Sequence, residues 1–158
     1  MYRTILLAAA LERWDRYSAH ALAARDVAAA LAKGTTHHLH VLSVYDYNFK
    51  APASSLPFEM VAQLREEDLR RTNSLMEHKI DDYTAPLQAL GLEVTPILRA
   101  GHARGVILQT ATELKADVLV IGSHSKRSFF EITLGGTAKY LSQHAPCQVV
   151  LVSPAQQD

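Results

Sequence analysis

The chain has 158 residues, 48% of them hydrophobic and 20% charged, which supports one buried core without disulfide or metal staples. Sixteen Lys plus Arg balance sixteen Asp plus Glu, so no global field draws the chain to nucleic acid or to an acidic membrane. Cys147 is the only cysteine, which excludes an intramolecular disulfide and fits a reducing compartment.

The first element expected is a strand over Tyr2–Ala9, apolar on both faces as in a buried parallel sheet. The apolar run from Ile5 to Leu11 is too short to span a bilayer and no small-residue cleavage site follows it, so a cytoplasmic location is expected. Asp15–Lys33 reads as a helix with Tyr17, Ala21, Ala24, Ala28 and Leu31 on one stripe and Gly34 as its stop. Thr36–Val44 is a second strand, and Tyr45–Pro57 is a loop rich in Asn, Ser and Pro. Phe58–Leu90 shows a long helical pattern at Met76, Ile80, Tyr83, Leu87 and Leu90, with Pro86 expected to kink or restart it near Thr84. Leu92–Leu98 is the third strand, His102–Lys115 a helix, and Asp117–Ile121 the fourth strand. A Gly-containing loop over Gly122–Gly136 then leads to a helix over Thr137–His144 and a fifth strand over Cys147–Val152. This alternation implies one domain over residues 1–158: a Rossmann-like, doubly wound five-stranded parallel sheet with right-handed crossovers and helices on both faces.

In such sheets ligands bind beyond the carboxyl ends of strands where the strand order reverses, which singles out Ala10–Trp14 and Gly122–Thr137. The second segment carries Gly122-Ser123-His124-Ser125-Lys126-Arg127-Ser128 and then Leu134-Gly135-Gly136-Thr137. Glycines let backbone N–H groups turn inward, and a following helix N-terminus suits a phosphate, with Lys126 and Arg127 as countercharge. The plainer reading is that Gly122 ends a strand and Gly135-Gly136 starts a helix.

The run Asp117–His124, the Leu134-Gly135-Gly136-Thr137 segment and the stretch His144–Val152 resemble the universal stress protein family. So do Ala100-Gly101-His102-Ala103 and the opening Arg3-Thr4-Ile5-Leu6-Leu7. The resemblance covers nearly the whole chain and implies an adenine nucleotide alpha hydrolase-like sheet. Nucleotide-binding members of that family share Gly, two residues, Gly, nine residues, Gly, then Ser or Thr. Here the first and third glycines fall on Gly122 and Gly135, the second on Ser125, and the hydroxyl position on Gly136. The family's acidic residue after the first strand falls on Ala10, and the backbone position that meets the base falls near Val44. A left-handed Ser125 would cost about 1–2 kcal/mol relative to Gly. A lost hydroxyl contact to phosphate at Gly136 would cost about 1.5–3 kcal/mol.

The resemblance therefore implies a regulatory module with an adenine-nucleotide site, for ATP with or without Mg, weakened by these departures. Gly122, Ser123, Ser125, Gly135, Gly136 and Thr137 would hold phosphates, Lys126 would assist, Val44 would meet the base, and Glu12 is the acid nearest to Ala10. The competing reading is a nucleotide-free dimeric interaction protein. No catalytic residue is assigned: Ser123 and His124 are neighbours in a loop, no G-x-S-x-G elbow is present, and slow ATP turnover is the most that is expected. No metal site is assigned either, since His38 and His40 share a strand face with no third ligand at suitable spacing. Glu66/Arg70 and Glu67/Arg71 read as i,i+4 pairs on a solvated helix face, and Trp14 as a packing residue. The apolar strand Cys147–Val152 near the chain end would be an association hazard if left as an edge, and the family resemblance suggests that two copies pair through it. No protein partner is named by the sequence.

Overall fold

The computed structural model describes residues 3–11, 17–34, 37–47, 49–52, 55–122, 126–128, 131–133 and 136–154. Strands β1 (Thr4–Ala8), β2 (His38–Tyr45), β3 (Val94–Ala100), β4 (Val118–Gly122) and β7 (Gln148–Val152) form a parallel sheet in the order β3-β2-β1-β4-β7. Helices α1 (Ala19–Ala32), α2 (Phe58–Ala89), α3 (Ala103–Glu113) and α4 (Gly136–His144) connect them.

Side chains alternate across a strand, so β1 feeds both faces of the sheet. Ile5 and Leu7 point to one layer, with Val41, Val118 and Val120, under the alanine stripe of α1 and Met76, Ile80, Tyr83 and Leu87 of α2. Leu6 points to the other, with Leu42, Leu119 and Ile121, under Ile107 and Ala111 of α3 and Ala138 and Leu141 of α4. Ile5, Leu6 and Leu7 are wholly buried. This is the doubly wound architecture that the element order implies.

Side-chain bonds to backbone join α1 to α2 within one layer and β1 to the start of β4. The Tyr83 hydroxyl, itself buried, donates to the Ala21 carbonyl at 2.6 Å, and Arg25 of α1 donates back to the Tyr83 carbonyl at 3.2 Å. At the start of β1 one carboxylate oxygen of Asp117 accepts from the backbone N–H groups of Arg3 and Thr4, both at 2.8 Å.

Several boundaries differ from the sequence expectation. Helix α1 begins at Ala19 because Ser18 caps it, its hydroxyl accepting from the Ala21 N–H. Tyr17 therefore precedes the helix yet still packs edge-on against Tyr83 at 5.4 Å. The expected starts at Tyr2, Asp15 and Thr36 lie outside the described residues. Helix α2 continues through Pro86. Both Pro86 and Asp82 are exposed, so the carbonyl that loses its N–H partner is left to water. Leu90, expected on the buried stripe, is 56% exposed because the chain turns there into Gly91 at φ +79°. The segment expected as a loop holds a short antiparallel hairpin, β5 (Lys126–Ser128) and β6 (Glu131–Thr133). Three-residue strands without hydrophobic alternation leave little periodic signal.

Helix α2 also outreaches the sheet. Its 32 residues span about 48 Å, whereas an eight-residue strand spans about 26 Å. All its buried residues lie from Met76 onward, and Phe58, Met60, Leu64, Leu69 and Leu75 are exposed. In this outer half Glu66 and Arg70 pair at 3.6 Å on the surface.

Where β4 ends, Gly122 meets the first turn of α1: a Cβ there would stand 2.8 Å from the His20 carbonyl oxygen and 2.9 Å from its Cδ2. Backbone cannot yield as a side-chain tip does. Gly122→Ala is therefore expected to destabilise the fold by about 1–3 kcal/mol. Gly105→Ala, inside α3 with nothing within 4 Å, should stabilise it by about 0.5–1 kcal/mol. Urea unfolding of the two variants checks both signs. A second expectation concerns Asp117, whose carboxyl is held below the usual range by the N–H groups of Thr4 and Arg3. Because its folded pKa is depressed, its contribution is complete above the unfolded value of about 3.9 and is lost as pH falls through the folded value. Asp117→Asn should lower the urea midpoint at pH 7, and the gap to the unaltered protein should close as the titration proceeds below about pH 4.

Candidate functional site

Strands β1 and β4 are neighbours, but the chain leaves β1 toward α1 on one face and β4 toward α4 on the other. The connections that follow them therefore diverge, and a crevice opens where the order reverses. A cavity of about 290 Å³ lies there. Ala8, Ala9 and Ala10, at and just beyond the end of β1, line it; Leu42 and Val44 come from β2, Ala103 and Ile107 from α3. Gly122, Gly136 and Thr137 line it as well, with His20 of α1. Small side chains at the end of β1 keep this volume open, and the walls are largely apolar.

A second cavity, of about 450 Å³, shares Val44, Ala103 and Thr137 with the first and adds Asp46, Gly101, His102 and Arg104. Its rim depends on a sharp turn after β3. Gly101 sits at φ +140°, where a Cβ would meet Val106 Cγ2 at 2.9 Å, and its N–H donates to the Tyr45 carbonyl at 3.0 Å. Together the two cavities form an apolar chamber with a polar entrance, the ordinary composition of a small-molecule site.

Of the residues singled out from sequence, Val44, Gly122, Gly136 and Thr137 converge on this crevice. Gly136 and Thr137 open α4, and Val44 is half-buried near the end of β2. Lys126 opens β5. Glu12, Trp14, Ser123, His124, Ser125, Leu134 and Gly135 lie outside the described residues. Ala10 is exposed at the rim and supplies only a methyl group.

Two residues escaped the sequence reading. His20 is buried at the cavity wall, with its Nε2 3.0 Å from the Ser18 hydroxyl. Arg104 leaves the first turn of α3 and reaches α4: its Nη2 lies 2.7 Å from the place a Gly136 Cβ would take, and its Cζ lies 5.4 Å from the Tyr140 ring centroid. A signal was present, since a cation in the first turn of a helix opposes the helix dipole.

The remaining candidates stay apart from the crevice. His38 and His40 stand 6.4 Å apart between ring centroids, and among the described residues no three His, Cys, Asp or Glu side chains gather as a metal site. Burial lowers the pKa of His40, with His38 adding to the effect. Cys147 is half-buried beside β7, and burial first, then the Asp117 charge, pushes its thiol pKa up, away from the reactive thiolate. No described helix is long and apolar enough to cross a membrane.

Comparison with known proteins agrees with this geometry. The model of the Universal stress protein family matches residues 1–153. A universal stress protein of Thermus aquaticus, encoded 3′ of a QAH/OAS sulfhydrylase, is 29% identical over 152 residues, covering 96% of this chain and 99% of its own. Among solved structures, the hypothetical protein MJ0577 aligns with a TM-score of 0.76 at 20% identity over 99% of both chains. A universal stress protein family protein of Arabidopsis thaliana with AMP bound aligns with a TM-score of 0.66 at 17% identity, over 97% of this chain and 92% of that one. With a doubly wound sheet, an open crevice at its switch point and a family match over almost every residue, the chain belongs to the universal stress protein family.

Proposed function

We propose that the chain, acting as one domain over residues 1–158, is a regulatory module that binds an adenine nucleotide in the crevice beyond β1, β2 and β4. The observation that carries this reading is the apolar chamber beyond the carboxyl ends of β1 and β4, with Gly122, Gly136 and Thr137 on its wall. The nucleoside takes the chamber, with the Val44 backbone beside the base. Phosphates take the entrance to α4, where Ser123, Ser125, Gly135, Gly136 and Thr137 offer N–H groups and hydroxyls and Lys126 offers charge. ATP, with or without Mg, is the ligand proposed, and AMP is bound by the Arabidopsis relative. Binding rather than turnover is the function. The Ser18 hydroxyl beside His20 is engaged in capping α1, where it accepts from the Ala21 N–H, and burial raises the pKa of the Cys147 thiol.

A competing reading, a nucleotide-free interaction protein, is favoured by Ala10 and Gly136, which leave the site without the family's carboxylate and hydroxyl. Both readings place function in a homodimer paired through Cys147–Val152. Strand β7 bonds to β4 on one side only among the described strands, and Val149, Val150 and Leu151 are half-buried along it. An apolar open edge of this kind pairs readily with a second copy.

Titration calorimetry with ATP, with and without Mg, is expected to show saturable binding below about 1 mM. Ala103→Trp, which fills the part shared by the two cavities, should abolish it without lowering the thermal midpoint. No heat from either nucleotide form would leave the nucleotide-free reading. Light scattering at tens of micromolar is expected to return the mass of two chains, and a single-chain mass would end the dimer reading.

A further inference from the structure

Resting on the nucleotide reading, we propose that Arg104 is a phosphate-binding residue of this crevice and that Gly136 is needed to admit its guanidinium. The ligand must then carry an anionic phosphate beside the first turn of α4.

The contact between the two residues is the starting point. Arg104 Nη2 and Cζ lie 2.7 and 3.9 Å from where a Cβ on residue 136 would stand. A side chain at 136 and the guanidinium are therefore alternative occupants of one place. At the residue where the family pattern has a hydroxyl, this chain has a glycine with an arginine laid over it. The exchange favours anion binding. A hydroxyl offers one donor, whereas a guanidinium offers five in a planar fork, permanently charged and matched to two phosphate oxygens.

The arginine is solvent-exposed. Neither the Glu66–Arg70 nor the Arg99–Glu113 ion pair involves it. The cation instead rests over Tyr140, whose ring stacks on His144 at 4.2 Å. It stands in the first turn of α3 with its tip at the first turn of α4, and the positive ends of both helices oppose it. A phosphate dianion there would relieve both repulsions and take the fork. Arg104 belongs to the polar cavity, which joins the apolar chamber through Val44, Ala103 and Thr137, so a nucleoside in one places its phosphate within the other.

The test uses the full chain titrated with AMP and with adenosine. The unaltered protein should bind AMP at least about tenfold more tightly than adenosine. Arg104→Met, which keeps the stem without the charge, should weaken AMP by about 10- to 100-fold and leave adenosine unchanged. Gly136→Ser restores the family hydroxyl, and the atom it displaces is the tip of a flexible side chain, so the variant should fold with an unchanged thermal midpoint. It is nevertheless expected to weaken AMP, with no further loss when combined with Arg104→Met. If AMP binds no better than adenosine, or Arg104→Met leaves AMP binding intact, or Gly136→Ser tightens it, the role of Arg104 is overturned while the nucleotide reading stands. If neither ligand binds the unaltered protein, the nucleotide reading itself fails, and this inference with it.

Discussion

The central constraint is that β1 is enclosed on four sides. Its edges bond to β2 and β4, and its faces are closed by two separate helix layers. A strand so placed tolerates no polar side chain within its run, which is why Ile5, Leu6 and Leu7 have no exposure at all. Its amino end is closed by Asp117, which satisfies two N–H groups that the sheet leaves over. At its carboxyl end the Ala9 N–H still bonds to the Leu42 carbonyl at 2.8 Å. There the two layers demand that neighbouring strands send the chain in opposite directions, and a gap follows from the topology before any side chain is chosen.

What fills the walls of that gap decides its chemistry. The alanines at 8, 9 and 10 leave room, Gly122 lets α1 close against β4, and Gly101 turns the chain sharply enough for α3 to present its first turn. Each is a small residue for a different reason: volume in the first case, a backbone contact in the second, a positive φ in the third. The polar character then comes from a few groups at the mouth rather than from the alanines, an arrangement that suits a ligand with one apolar end and one charged end.

Much of the fold was legible because strands buried on both faces read as continuous apolar runs and helices as 3.6-residue stripes. The alanine stripe of α1 and the Met76–Leu87 stripe of α2 are cases in point. Legibility failed where tertiary contact overrides local pattern. Ser18 sets the start of α1 through its own side-chain bond, Leu90 leaves the core because the chain turns under it, and the β5–β6 hairpin is too short to show a period. In the crevice, the glycines were legible through their spacing and their likeness to a family pattern. For Arg104 only its unfavourable place in a first helical turn was legible; its contact with Gly136 was not, because one-dimensional spacing carries no information about which side chains meet across a gap.

Helix α2 has two mechanically different halves. From Met76 onward it is bolted to the sheet through Tyr83 and its neighbours. Before that, it is a lever whose described side contacts come from residues such as Tyr47, whose hydroxyl donates to the Arg65 carbonyl and to Asp68. Opening free energy should therefore climb along the helix toward its carboxyl end, with amide exchange fastest in the first turns and slowest beside Tyr83. A force applied near Phe58 would be spent unwinding the lever before it reached the sheet, so the crevice at the other strands is insulated from events at that tip.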